Sequence, residues 1–176
     1  MKKIDQICVI GSGVMGAGIA ALAANAGIKV LLLDVKSADD PNLITKTAIT
    51  KMLTSKPAPL SHPSRADFIT PGNLEDDLDK IRDCGLIIEV IIEKLEVKQD
   101  LYNKLLPFLL PTTIVASNTS TLSLKPLKAK LPEWMAKNFM ILHFFNPPRY
   151  MPLLELVSDK NTLKEAKNIA YDFITH

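Results

Sequence analysis

Two cysteines in a chain of 176 residues, Cys8 and Cys84, are too few for a disulfide framework, and each lies at the edge of an apolar run that reads as a buried strand. A reducing compartment such as the cytoplasm suits thiols used in this way. Histidine is scarce too, and no His, Cys, Asp or Glu falls at metal-ligand spacing, so no metal centre is expected. An excess of one charge is missing: the net charge is only +2, and the lysines are scattered. The densest group, Lys125, Lys128 and Lys130, reads as a solvated helix face rather than a basic stripe with interleaved aromatics, which argues against nucleic acid as a partner. No repeat or low-complexity tract occurs. Two lysines precede the first apolar stretch, but Asp5 interrupts it, so no signal peptide is expected. Residues 14–33, VMGAGIAALAANAGIKVLLL, approach the apolarity of a membrane span. Gly27 and Lys29 split them, however, and the second half has the character of a strand, so no membrane association is expected.

What is present is 47 % hydrophobic sequence, enough for the core of one domain. Four of the seven glycines fall within eight residues, in VIGSGVMGAGIA. A buried-strand run, KIDQICVI, precedes this cluster, and an alanine-rich helix ending at Gly27 follows it. Gly11, Gly13 and Gly16 thus have the spacing of a dinucleotide-binding turn in the right context. Gly11 permits the tight turn, Gly13 lets the backbone approach a pyrophosphate, and Gly16 lets helix and strand pack closely. The helix N-terminus supplies N–H donors to the phosphates. A second strand, IKVLLLD, ends at Asp34, where a carboxylate accepts hydrogen bonds from the adenosine ribose and repels a 2′-phosphate. NAD is therefore expected over NADP, although Lys36 nearby softens that preference.

Further along, a helix is expected from Pro41, a proline-broken loop over KPAPLSHP, and a third strand over ADFIT. A short acidic helix, LEDDLDKIRD, leads to the continuous apolar strand GLIIEVII, and then to a helix over LEVKQDLYNKLLPFLL. Strands over TTIVAS, NFMILHFF and PLLELV follow, with a short helical stretch at 122–130 and an amphipathic helix at the end. Alternating elements of this kind predict an α/β, Rossmann-type doubly wound, mostly parallel sheet with helices on both faces. Ligands of such sheets sit beyond the carboxyl ends of the strands. There the sequence places the glycine turn, Asp34, Glu93, Lys98, Ser117 to Ser120, His143 and Asn146. His143 and Glu155 stand out in HFFNPPRYMPLLELV, an apolar and proline-rich setting that suggests both head for the interior and need partners. From spacing alone, a core histidine satisfied by a structural carboxylate is as good a reading as a catalytic pair.

GSGVMGAGIA, IIEVIIEKLEVKQDL, ASNTSTLSL and HFFNPPRYMPLLELV resemble the NAD-binding domain of the 3-hydroxyacyl-CoA dehydrogenases of fatty-acid β-oxidation, with long bacterial members the most similar. The resemblance runs from about residue 4 onward and is weakest between 36 and 70. It implies NAD-dependent oxidation of an L-3-hydroxyacyl-CoA to the 3-ketoacyl-CoA, with His143 and its partner Glu155 catalytic. It implies that Ser120 binds substrate near the nicotinamide, that Asn146 belongs to the same end of the site, and that Glu93, Lys98, Met15 and Asp34 contact the cofactor. Lys94 departs from the asparagine often found in the family. The resemblance also implies that residues 1–176 are the NAD-binding domain alone, without the helical domain that carries substrate contacts and most of a homo-oligomer interface, so weak activity is expected of this chain. Coenzyme A contacts are not assigned; Lys46 and Lys51 are candidates, although each reads more readily as a solvated lysine.

The chemistry suits the residues. Oxidising a secondary alcohol requires loss of the hydroxyl proton as hydride leaves carbon, and imidazole exchanges protons in the neutral range. A carboxylate on the far ring nitrogen fixes the tautomer and stabilises the imidazolium. His62, in the proline loop, and His176 are not rivals. A non-catalytic NAD-binding module and a dehydrogenase of another small hydroxy acid remain as alternatives.

Overall fold

Strands form where the sequence is continuously apolar, and the computed structural model, which describes residues 4–175, joins seven of them into one sheet. They are β1 (Gln6–Ile10), β2 (Lys29–Asp34), β3 (Ile69–Asn73), β4 (Leu86–Glu89), β5 (Ile114–Ser117), β6 (Phe139–Phe144) and β7 (Leu154–Val157). Their order is β3-β2-β1-β4-β5-β6-β7. All neighbours pair parallel except β6 and β7, which pair antiparallel. The helices are α1 (Val14–Asn25), α2 (Leu43–Thr54), α3 (Leu95–Leu105), α4 (Leu124–Lys128), α5 (Glu133–Lys137) and α6 (Lys164–Thr175).

Strand alternation divides the core in two. Ile7, Val9, Leu32, Ile88 and Leu142 pack with α1, α2 and α6, while Cys8, Ile10, Leu33, Ile87 and Ile141 pack with α3, α4 and α5. Both sheet faces are therefore covered, which explains the unbroken apolar strands. This is the doubly wound Rossmann-type architecture. Its order reverses between β1 and β4, where β3 has run out on one side and β4 begins the other. The crevice at that switch point is where such sheets hold ligands. Cys8 and Cys84 are both buried and free, and burial pushes both thiols up, Cys84 to about 11. Among the described residues no helix is long and apolar enough to cross a membrane; residues 14–33 divide into α1 and β2 at Gly27, whose φ is +80°.

Four elements differ from expectation. The third strand covers Ile69–Asn73, whereas Ala66 to Phe68 close a 3-10 turn, Pro63–Phe68. Pro71 is tolerated because β3 is an edge strand with one side unpaired. The acidic helix is a 3-10 segment, Leu78–Asp83, because Asn73 and Asp77 hold the preceding turn through side-chain bonds. Helix α3 stops at Leu105, and Leu106–Phe108 tighten to 3-10 around Pro107, which has no N–H to continue the ladder. The short α5 was not expected; it turns the chain just ahead of β6 and buries Met135.

Candidate active site

At the end of β1 the chain must turn sharply under α1. Gly11 does this with φ +101°, and a Cβ there would lie 2.6 Å from the Val90 carbonyl oxygen. A Cβ on Gly16 would fall 1.7 Å from the Gly11 oxygen, so the first turn of α1 rests directly on the glycine turn. Gly13, the N-cap of α1, differs: its Cβ would meet nothing within 4 Å, and no side chain caps the helix. Uncapped N–H donors thus border open space, which fits a pyrophosphate. Met15, half-buried in the same turn, packs onto the core. Asp34, closing β2, is anchored by Ser12 and Val35. Its Oδ2 accepts the Ser12 N–H and hydroxyl, each at 2.6 Å, and Oδ1 accepts the Val35 N–H at 2.7 Å. Four lone-pair sites on a carboxylate leave capacity for a ribose hydroxyl. Lys36 is paired with Asp76 at 2.9 Å, so it does not offset Asp34.

A second cluster joins the ends of β4 and β5. Glu89 is fully buried and accepts Lys98 Nζ at 2.6 Å, the Ile91 N–H at 2.8 Å, and the Tyr102 and Ser117 hydroxyls at 2.7 Å each. Lys98 is also buried, and its ammonium reaches Glu93 Oε2 at 3.2 Å and the Ile91 carbonyl at 3.3 Å. Any influence of Lys98 on a ligand therefore passes through Glu93. Glu93 is 37 % exposed on its side chain. Its Oε1 accepts the Thr119 hydroxyl, the Thr121 hydroxyl at 3.0 Å and the N–H groups of Ser120 and Thr121 at 3.2 and 3.3 Å. Partial burial works against ionisation of Glu93, but the Thr119 hydroxyl, the Lys98 charge and Thr121 outweigh it and bring the carboxyl down to about 2. Ser120 is exposed.

The antiparallel pairing of β6 and β7 sets His143 directly opposite Glu155. Nδ1 lies 2.8 Å from Glu155 Oε2, and the ring sits 4.5 Å from that of Phe145. The expectation that both head for the interior holds only for the histidine: its side chain is 19 % exposed, that of Glu155 56 %, because β7 is the edge of the sheet. Asn118, after β5, accepts the Phe144 N–H through Oδ1 at 2.9 Å, binding the loop of Ser120 to the strand of His143. Exposed Asn146 borders a cleft of about 440 Å³ whose other walls include Gly13, Gly18, Lys51, Pro148 and Tyr150. Arg149 fixes the far wall by donating to the Ala58 and Leu60 carbonyls, each at 2.7 Å. Lys51 faces this cleft, while Lys46 is paired with Asp40 at 2.7 Å. His62 is exposed, capping a 3-10 turn through Ser64, and His176 lies outside the described residues.

The expected residues therefore form three groups along one sheet edge: the glycine turn with Asp34, the Glu93–Lys98–Ser120 cluster, and the His143–Glu155 pair beside Asn146. Glu89, Tyr102 and Ser12 were not anticipated; Asn118 and Thr119 were expected at the strand ends, but without the partners they have here. For Glu89 the signal was available: an ionisable residue inside the continuous apolar run GLIIEVII requires a buried partner.

The family profile described as "3-hydroxyacyl-CoA dehydrogenase, NAD binding domain" matches residues 6–176. A Rickettsia felis protein named as a fatty acid oxidation complex trifunctional enzyme is 57 % identical over 99 % of this chain, which spans 24 % of that relative. A Deinococcus radiodurans protein named as a 3-hydroxyacyl-CoA dehydrogenase is 42 % identical over 99 % of the chain and 51 % of its own length. The crystal structure of 3-hydroxybutyryl-CoA dehydrogenase from Escherichia coli superposes with a TM-score of 0.82 at 31 % identity, over 99 % of this chain and 37 % of that one. The chain thus spans a quarter to a half of the relatives it matches. The match over residues 6–176, on a sheet shared with these proteins and bearing an open, uncapped glycine turn, identifies the chain as a member of the 3-hydroxyacyl-CoA dehydrogenase NAD-binding domain family, with NAD as its cofactor.

Proposed function

We propose that this chain is the cofactor-binding and proton-transferring part of an enzyme that oxidises an L-3-hydroxyacyl-CoA to the 3-ketoacyl-CoA in fatty-acid β-oxidation. The observation that carries the reading is the 2.8 Å contact between His143 Nδ1 and Glu155. Since a carboxylate only accepts, Nδ1 carries the proton, and Nε2 presents a lone pair. Nε2 then takes the hydroxyl proton as the C3–H bond breaks, and the imidazolium so formed is stabilised by Glu155. When bound, NAD accepts the hydride. The exposed Ser120 hydroxyl holds the substrate oxygen, and Asn146 shapes the same end of the cleft. The uncapped N-terminus of α1, with Gly11, Gly13, Met15 and Gly16, would hold the pyrophosphate; Asp34 would hold the adenosine ribose, and Glu93, set by Lys98, would serve the nicotinamide end. In the reverse direction the imidazolium returns its proton to the ketone oxygen.

Lys51, at the cleft wall, suits a phosphate of coenzyme A. As the family resemblance implies, a helical substrate domain would complete the site in the whole protein, which would form a homo-oligomer through it. Two free, buried thiols suit the cytoplasm. Steady-state reduction of acetoacetyl-CoA with NADH, beside free 3-hydroxybutyrate and other small hydroxy acids with NAD, tests the reading in a polypeptide extended to the relatives' length. Selective turnover of the CoA thioester is expected. Preference for a free hydroxy acid would replace this reading, and NAD binding without turnover of either would reduce the protein to a binding module.

A further inference from the structure

Glu89 closes a strand whose other positions, Leu86, Ile87 and Ile88, are buried and apolar, and it lies opposite Ile10 on β1 and Ser117 on β5. Stability gives little reason for a carboxylate there, because replacing a buried ion pair by apolar groups of similar volume is often neutral or favourable. Instead, four donors converge on Glu89: Lys98 and the Ile91 N–H on Oε1, Tyr102 and Ser117 on Oε2. One effect of this arrangement is directional. Lys98, unable to reach solvent, points its ammonium at Glu93, and Glu93 gathers the Thr119 and Thr121 hydroxyls and the Ser120 and Thr121 N–H groups. From the same strand end the Glu89 carbonyl accepts the Asn118 N–H at 2.8 Å, and Asn118 in turn holds the Phe144 N–H, one residue beyond His143.

We infer that Glu89, acting through Lys98 and Glu93, is a positioning residue that sets the 119–121 turn, and with it Ser120, against the strand carrying His143. The importance of Ser120 rests on the proposed function; the setting of the turn does not. In oxidation of a 3-hydroxyacyl-CoA the residue touches neither substrate nor cofactor. It removes freedom from a solvent-facing loop by tying that loop to a group the solvent cannot reach, and so holds the substrate oxygen near Nε2 without a search.

The test is a Glu89→Gln, Lys98→Met double variant of this chain, which removes both charges together and keeps the volume. Amide hydrogen exchange is followed at residues 119–122 and in β1 and β4, and binding of NADH is compared with that of ADP-ribose, which lacks the nicotinamide. The 119–122 amides are expected to exchange roughly tenfold faster while the strand amides stay within about twofold of the parent. Bound NADH is expected to change its nicotinamide emission, with ADP-ribose affinity unaltered. If the double variant does not fold, Tyr102→Phe, which removes one donor to Glu89 at almost constant shape, is expected to give the same local pattern at roughly two- to threefold. Unchanged protection at 119–122 in a folded variant overturns the inference. So does a uniform loss across strands and loop, which would mark Glu89 as a packing residue. A parent chain that bound no NADH would remove the functional reading, yet the exchange comparison would still decide the positioning claim.

Discussion

His143 is held through one nitrogen, and the effect of losing it or its partner should differ in kind from losing a cofactor contact. In a polypeptide extended to the relatives' length, His143→Ala is expected to lower turnover by roughly 10²- to 10⁴-fold, the usual worth of a general base. Glu155→Gln should also lower turnover while NAD affinity stays near the parent value; a near-normal rate in either variant sinks the role given to that residue. Asp34 should direct the choice of cofactor, since Lys36 is taken up by Asp76. Calorimetric titration is expected to favour NAD over NADP by roughly tenfold or more, about 1.4 kcal/mol, and parity would remove the ribose assignment. Glu93 makes a pH prediction. Its carboxyl is drawn down from 4.5 to about 2, so the folded state binds fewer protons than the unfolded chain between those values. The stabilisation is complete above about pH 4.5 and is lost as the pH falls toward 2. Urea unfolding at stepped pH should therefore show a steeper acid decline in the parent than in Glu93→Gln, and parallel curves would contradict it. Of these residues, His143, Asp34 and Glu93 were legible because their positions at strand ends follow from local pattern. For Glu89 only the need for a buried partner was legible; the partners themselves were not, because Lys98, Tyr102 and Ser117 lie 9, 13 and 28 positions away and meet it only in the fold.

Among the elements, α1 with its turn allows a sharp separation of folding from binding. Gly16→Ala would drive a Cβ into the Gly11 carbonyl, so that the helix must lift from the turn. Gly13→Ala meets open space, and as an N-cap change costs about 1 kcal/mol or less. The first variant should lose thermal stability clearly; the second should melt close to the parent but bind NAD weakly, because its methyl group would stand in the space proposed for the pyrophosphate. Differential scanning fluorimetry with and without NAD checks both, and a Gly13→Ala chain with unimpaired NAD-induced stabilisation would displace the pyrophosphate from this turn. The long buried strands and their helices could be read from the sequence because length and apolar continuity set them. The region from 60 to 83 could not. Its backbone is arranged by side chains such as His62, Asn73 and Asp77, which bond to nearby main chain, and such bonding leaves no hydrophobic period.

For the molecule as a whole, apolar side chains remain exposed along β7 and α6 and the segment before them, including Met151, Leu153, Val157 and Tyr171. Met151, Leu153 and Tyr171 border a groove of about 590 Å³ between α1, α6 and the segment leading to β7. If the proposed substrate domain completes the site, this chain alone should bind NAD yet reduce acetoacetyl-CoA at least about a hundredfold more slowly than an extended polypeptide, since positioning of the reacting groups is lost. Equal rates from both would show that the sheet domain suffices. The strand order has a consequence for biosynthesis. Gly11, Gly13, Gly16 and Asp34 belong to β1, β2 and their connections, whereas His143 and Glu155 belong to β6 and β7, which leave the ribosome later. The β1–β2–β3 half can assemble before β4 arrives to cover the other edge of β1. A nascent chain therefore completes the glycine turn and Asp34 well before it completes the His143–Glu155 pair, and for that interval one edge of its central strand is open to whichever strand reaches it first.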